Sequence, residues 1–110
     1  MTDQTQADRV LLEKAAKAAG IEIDATVKAI NPQDLVRLNE RGGHSVWNPL
    51  TDDGDALRLA VKLQLLIDLD DSSCYVAGEE PSLREQYGSD PYAATRRAIV
   101  RAAAAMGDVQ

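Results

Sequence analysis

The stretch that most constrains this chain runs from Trp47 to Leu63, W-N-P-L-T-D-D-G-D-A-L-R-L-A-V-K-L. An aromatic residue and a proline lead into three aspartates around Gly54, and an apolar helical pattern follows at once. Thr51 or Asp52 marks the helix start. A side-chain oxygen there accepts first-turn amides that have no partner of their own, and the aspartates face the positive end of the helix dipole. Stepping residue by residue from Ala56 to Leu63 gives an apolar arc of roughly 200°, with Asp55, Arg58 and Lys62 confined to a narrow stripe. A helix that apolar is expected to be covered on more than one side and to be the most buried in the fold.

Other elements follow from period and punctuation. Ala7, Val10, Leu11, Ala15 and Ala18 recur at helical spacing between Thr5 and Ala19, with Thr5 and Asp8 as a weak capping box and Gly20 as the stop. From Ile21 to Ala29 the period changes to strict alternation, which predicts a strand with one face on the core. Asn31-Pro32 then breaks the chain, and Leu35 to Asn39 and Ser45 to Trp47 read as a hairpin closed by Arg41-Gly42-Gly43. A short helix beginning at Pro32 and capped by Asn31 is the alternative. Leu65 to Leu69 and Ser73 to Ala77 read as two strands joined through Asp70-Asp71-Ser72, and Gly78 to Ser89 as a polar loop. Asp90-Pro91 opens the last helix, Tyr92, Thr95, Ile99, Ala102, Ala103 and Met106 form its inner face, and Gly107 stops it. Arg97 and Arg101 point away from that face, and Arg96 lies on its flank.

The elements predict an α+β fold, three helices packed on a largely antiparallel sheet of four to five short strands, like an α/β/α sandwich. Hydrophobic residues are 45% of the 110, almost all aliphatic, with no Phe, one Trp and three Tyr. That suits a single domain spanning 1–110 with one thin, alanine-rich core. A net charge of -6 opposes adhesion to nucleic acid or anionic membrane. Cys74 is the only cysteine, so no internal disulfide forms and a reducing compartment is expected. The N-terminal M-T-D-Q-T-Q-A-D has neither the basic start nor the apolar core of a signal peptide, which points to the cytoplasm.

Trp47 to Leu63, and A-A-T-R-R-A-I-V-R-A-A-A near the C-terminus, resemble the phage ABA sandwich domain, a family of small proteins of tailed phages and prophages. Together with the first helix ending at Ala19-Gly20-Ile21, the likeness spans most of the chain. It implies a sheet layered with helices and carries over no catalytic residue. The acidic segment Q-L-L-I-D-L-D-D-S-S-C and the loop from Gly78 to Ser89 depart from the family pattern.

Asp52, Asp53 and Asp55 offer oxygens to a hard divalent cation, but helix capping explains at least two of them without one. His44 has no second histidine to complete a zinc set and no nucleophile beside it, and nothing next to Cys74 lowers a thiol pKa. Trp47 reads first as a core plug and otherwise as the wall of a pocket, with Arg58, Tyr92 and Arg96 as further ligand- or partner-binding candidates. The expectation is therefore a non-catalytic phage accessory protein with no cofactor and no metal. It would bind a host protein or a small signalling nucleotide in the bacterial cytoplasm, as a counter-defence inhibitor or by sequestration. An acidic surface of Asp68, Asp70, Asp71, Glu79 and Glu80 would serve a basic protein partner. The alternatives are a divalent-metal hydrolase built on the Asp52 to Asp55 cluster and a structural homodimer.

Overall fold

A computed structural model describes residues 3–78 and 82–109. The order of elements is α1 (Asp3–Ala19), β1 (Leu35–Leu38), β2 (His44–Trp47), α2 (Asp53–Lys62), β3 (Leu66–Leu69), β4 (Ser73–Ala77), β5 (Ser82–Gln86) and α3 (Pro91–Val109). The class is α+β: the described residues form three helices and five strands, every strand pair antiparallel, divided between a hairpin β1-β2 and a sheet β3-β4-β5. The radius of gyration is 13.6 Å, close to the ~13 Å expected for a compact chain of this size.

The centre of the molecule belongs to α3. It packs most extensively on α1 and also on β4, β5 and α2. Ala94, Ala98, Ile99, Val100, Ala102, Ala103 and Ala104 are all buried, so α3 is enclosed around most of its circumference. This corrects the expectation that α2 is the most buried helix. In α2 only Ala56, Leu59 and Ala60 are buried, while Leu57 and Val61 are 61% and 68% exposed. The apolar arc read from the sequence is real, but only half of it meets a neighbour. Tyr92, placed on the inner face of α3, is 70% exposed. Arg97 and Arg101 are both held in ion pairs, Arg97 with Asp8 and Arg101 with Glu85 of β5.

Small residues set how closely α1 and α3 approach. Leu12, Ala15, Ala16 and Ala19 face the core, with Leu11 packed beside them, so Leu11 and Ala15 of the expected stripe hold while Ala7 and Val10 turn outward, because alanine carries little information about which side it faces. Thr5 lies inside α1, which already includes Asp3, so it does not open the helix. Gly107 does not stop α3, which continues to Val109. It is buried against the backbone of Lys14, where any side chain would collide.

Both α1 and α2 end in the same hydrogen-bonded closure. Ile21 N–H donates to Ala16 O and Gly20 N–H to Lys17 O, just as Leu65 N–H donates to Ala60 O and Gln64 N–H to Val61 O. The motif demands a left-handed residue, Gly20 at φ 72° in the first case and Gln64 at φ 55° in the second. The second end carries the strain of a side chain in that region.

Ile21 to Ala29 is not a strand. Asp24 N–H donates to Val36 O, Leu38 N–H donates to Glu22 O, and Ile23 forms a single bridge with Arg37. Then the Asp24 side chain accepts from Thr26 N–H and Oγ1, curling the backbone into a turn that ends the pairing. Asp34 N–H donates to Asn31 O across a second turn, so no helix begins at Pro32. The hairpin forms as expected, with Leu35 opposite Trp47 and Gly42 at φ 89° in its turn. The loop predicted over Gly78 to Ser89 contains β5, hidden in the sequence because its polar residues are paired: Arg84 with Ser73 and Asp70, and Glu85 with Arg101.

Candidate functional site

Trp47 ends β2 and turns the chain toward α2. It is 2% exposed, within one core cluster that includes Leu35 and Leu59, and so acts as a plug. Its neighbour Asn48 is buried and fully engaged. Nδ2 donates to Asp34 Oδ1 (2.8 Å), Oδ1 accepts from Leu50 N–H (3.0 Å), the backbone N–H donates to Asp55 Oδ2 (3.0 Å), and the carbonyl accepts from Thr51 and Asp52. Side chain and backbone of this one residue thus tie the segment before β1 to the first turn of α2.

The three aspartates serve this junction. Asp52 caps α2 by accepting from Asp55 N–H at 2.8 Å. Asp55 holds Asn48 with one oxygen and Arg58 with the other (2.8 Å). Asp53 pairs with Arg96 at 2.6 Å, and Arg96 Nε also donates to Leu50 O at 2.8 Å. Asp52 also lies 3.9 Å from Arg58, so that arginine is shared by Asp52 and Asp55 while Asp53 serves Arg96, and all three carboxylates are engaged. Among the described residues, no group of three metal-ligating side chains converges.

Between the hairpin and α2 lies a cleft. Its inner part, about 440 Å³, is bounded by the end of α1 and by Arg37, Asn39, Trp47, Arg58 and Lys62. An outer part of about 660 Å³ adds Arg41, Ser45 and Asp55, with Arg37 and Arg58 lining both. Arg37 is opposite Ser45 in the hairpin, two residues along from Leu35, and therefore on the same face as Leu35 and Trp47. In the inner part Arg37, Arg58 and Lys62 stand against Glu22 and Glu40, a local surplus of positive charge on a chain whose net charge is -6.

Of the four residues predicted to bind, Trp47 and Arg58 come together in this cleft. Arg96 is bound into the α2 junction, Tyr92 stands exposed at the start of α3, and neither lines the cleft. Trp47 contributes a buried wall and no open ring face. Ser45, the one hydroxyl in the outer part, donates to Asn39 Oδ1 (3.1 Å). Adjacent His44 falls on the opposite face of β2, where Nε2 meets Asp24 Oδ2 at 2.9 Å, so the two never form a nucleophile-base pair. Hydrogen bonds from Thr26 first, and then from His44, hold the Asp24 carboxyl down to about 2. Cys74 is buried in β4 with Sγ near Ala94 O, a packing position.

In the expected acidic surface, Asp70 is held below the usual carboxylate range by amide hydrogen bonds from Ser72 and Ser73. Asp68 and Asp71 are exposed, and Glu79 and Glu80 lie outside the described residues.

Sequence reasoning passed over Arg37 and Asn48. Asn48-Pro49 was a visible turn signal that could have marked the junction. Arg37, inside L-V-R-L, showed only that one strand position was charged, and its importance comes from the helix across from it.

Fold and cleft together define a small α+β protein with a cation-lined groove between a hairpin and a helix. No protein-family model, curated protein or solved structure matches the chain.

Proposed function

We propose that this chain is a non-catalytic accessory protein of a phage or prophage, a binding module acting on a host factor in the cytoplasm of an infected bacterium. Counter-defence, by inhibiting a host protein or withholding a small signalling ligand, is the role this fits. The likeness of Trp47 to Leu63 and of the Arg96-Arg97 helix to the phage ABA sandwich domain supports the origin. The observation that carries the binding role is the cleft: it gathers cations, while His44, Cys74, Asp52 and Asp53 are engaged by structural partners outside it and Asp55, at its outer edge, is held by Asn48 and Arg58. No described helix is long and apolar enough to cross a membrane.

The test is an affinity pull-down of the tagged protein from infected cells, with protein and small-molecule mass spectrometry on one eluate. A host protein or small anion enriched over an unrelated tagged control is the expected result, and an eluate identical to that control would refute the proposal.

One observation favours a second reading, the structural homodimer. Leu57 and Val61 lie four residues apart on the open side of α2, and Leu66 at the start of β3 is 61% exposed. An isologous contact would bury such groups. Sedimentation over a wide concentration range decides it, because a monomer throughout excludes the dimer.

A further inference from the structure

Arg37 is the one described residue with a buried side-chain polar atom and no hydrogen-bond partner, its Nε. The cause is its place in the hairpin. Leu35 and Trp47 on the same face are buried, and Arg37 beside them is half-buried and lines both parts of the cleft. Its Nε is sealed from the cleft and is held by packing alone, so what Arg37 offers a ligand is the remainder of its guanidinium.

The neighbouring carboxylates do not complete it. Asp55, across the cleft, already bonds Asn48 N–H with one oxygen and Arg58 with the other, and releasing Asn48 would break its link from the end of β2 to α2. Among the described residues no carboxylate pairs with Arg37, with Lys62 one turn beyond Arg58, or with Arg41 at the hairpin turn. Glu22 and Glu40 border the inner cleft and offset part of this charge without forming an ion pair with it. The cleft therefore holds Arg37, Arg41, Arg58 and Lys62 against Glu22, Glu40 and Asp55, a formal surplus of one positive charge, with Arg37, Arg41 and Lys62 held in no ion pair and Asn39 adding polar capacity at the wall.

We infer that this cleft binds a small anion carrying at least two negative charges, of the phosphate or pyrophosphate class, with Arg37 as its principal ligand and Lys62 and Arg41 flanking. The inference rests on the binding-module reading above and names the ligand class for that site. An arginine fork matches the oxygens of such a group, and a multiply charged anion answers several cations, whereas a lone carboxylate would answer one. Because Trp47 is 2% exposed, it offers no platform for a stacked base, so recognition is through charge and hydrogen bonding.

Inorganic pyrophosphate is the probe, titrated into the full chain by calorimetry and followed by thermal shift at constant ionic strength, with acetate as the monovalent comparison. Wild-type protein should gain stability as pyrophosphate rises and should bind it roughly tenfold or more tightly than acetate. Arg37→Met should be at least as stable as wild type without the anion, since it keeps the packed stem and removes the unsatisfied group. It should also lose roughly tenfold or more in pyrophosphate affinity. Lys62→Met, on the exposed side of α2, should weaken binding by a smaller factor, and Lys17→Met, away from the cleft, should not change it. A wild type indifferent to pyrophosphate, or equal binding by wild type, Arg37→Met and Lys62→Met, overturns the inference. If Arg37→Met still captures the same host factor from infected cells, the ligand class falls and the binding role stands. If wild type binds pyrophosphate yet captures nothing, the binding role falls and the anion site stands.

Discussion

Replacing Gly107 with alanine would place a methyl group 2.3 Å from the carbonyl oxygen of Lys14 and 3.1 Å from its carbon, against ordinary contacts of 3.4–4 Å. Both atoms belong to the backbone of α1, so no side chain can rotate aside. The helices must part by about 1 Å at this end, and Leu12, Ala15 and Ala16 lose contact with α3 as they do. Overpacking of this kind destabilises by about 1–3 kcal/mol, occasionally more. Against it stands the helix preference of alanine over glycine, worth up to about 1 kcal/mol in an open helix. The net expectation is a loss of about 1–2 kcal/mol, which lowers Tm by roughly 4–16 °C for a domain of this size. Urea and thermal unfolding followed by far-ultraviolet circular dichroism would measure it, provided both transitions are two-state. A Tm equal to or above wild type would refute the reasoning, because the last turn of α3 would then be peeling away instead of holding α1 close.

Three further outcomes follow from the same structure. Asn48→Ala leaves the Asp34 carboxylate and Leu50 N–H without their partner in a buried junction and should lower unfolding free energy by about 2–4 kcal/mol, measured by urea denaturation. Gln64→Gly relieves a left-handed side-chain residue at the end of α2 and should raise stability by about 0.5–1 kcal/mol in the same assay, where a loss would mean that Gln64 makes a compensating contact. The depressed pKa of Asp24 makes its contribution present above the ordinary value of 3.8 and lost as pH falls toward about 2. Asp24→Asn should therefore flatten the decline of Tm across that window, and parallel curves for the two proteins would contradict the Asp24 hydrogen bonds.

The elements legible in the sequence were those with local grammar. Asp90-Pro91 opens α3 with both N–H bonds of its second and third residues on Asp90, Asp52 caps α2, and Gly42 closes the hairpin. What was not legible depends on partners distant along the chain. The alternation from Ile21 to Ala29 looks like a strand, yet Ile30 just beyond it is fully exposed, and the Asp24-Thr26 turn overrides the pattern after one bridge. Polar β5 forms because residues of other elements answer its charges: Arg101 donates to Glu85, and Ser73 accepts from Arg84. Gly107 read as a stop because glycine usually is one, whereas here its missing side chain admits another helix. For the site, Trp47 and Arg58 were visible as candidates, but Arg37 was not, since the burial of its Nε exists only in the folded chain.

The decisive measurement is of amide and tryptophan indole chemical shifts of the isotopically labelled protein as inorganic pyrophosphate is added. An anion in the cleft gives saturable shifts confined to β1, the hairpin turn and α2, centred on Arg37, Asn39, Arg41 and Lys62, with the Trp47 indole responding from behind the cleft wall. Shifts centred on the exposed cations of α1 or on the Arg84 edge of β5, or no saturable shift at any residue, would contradict it.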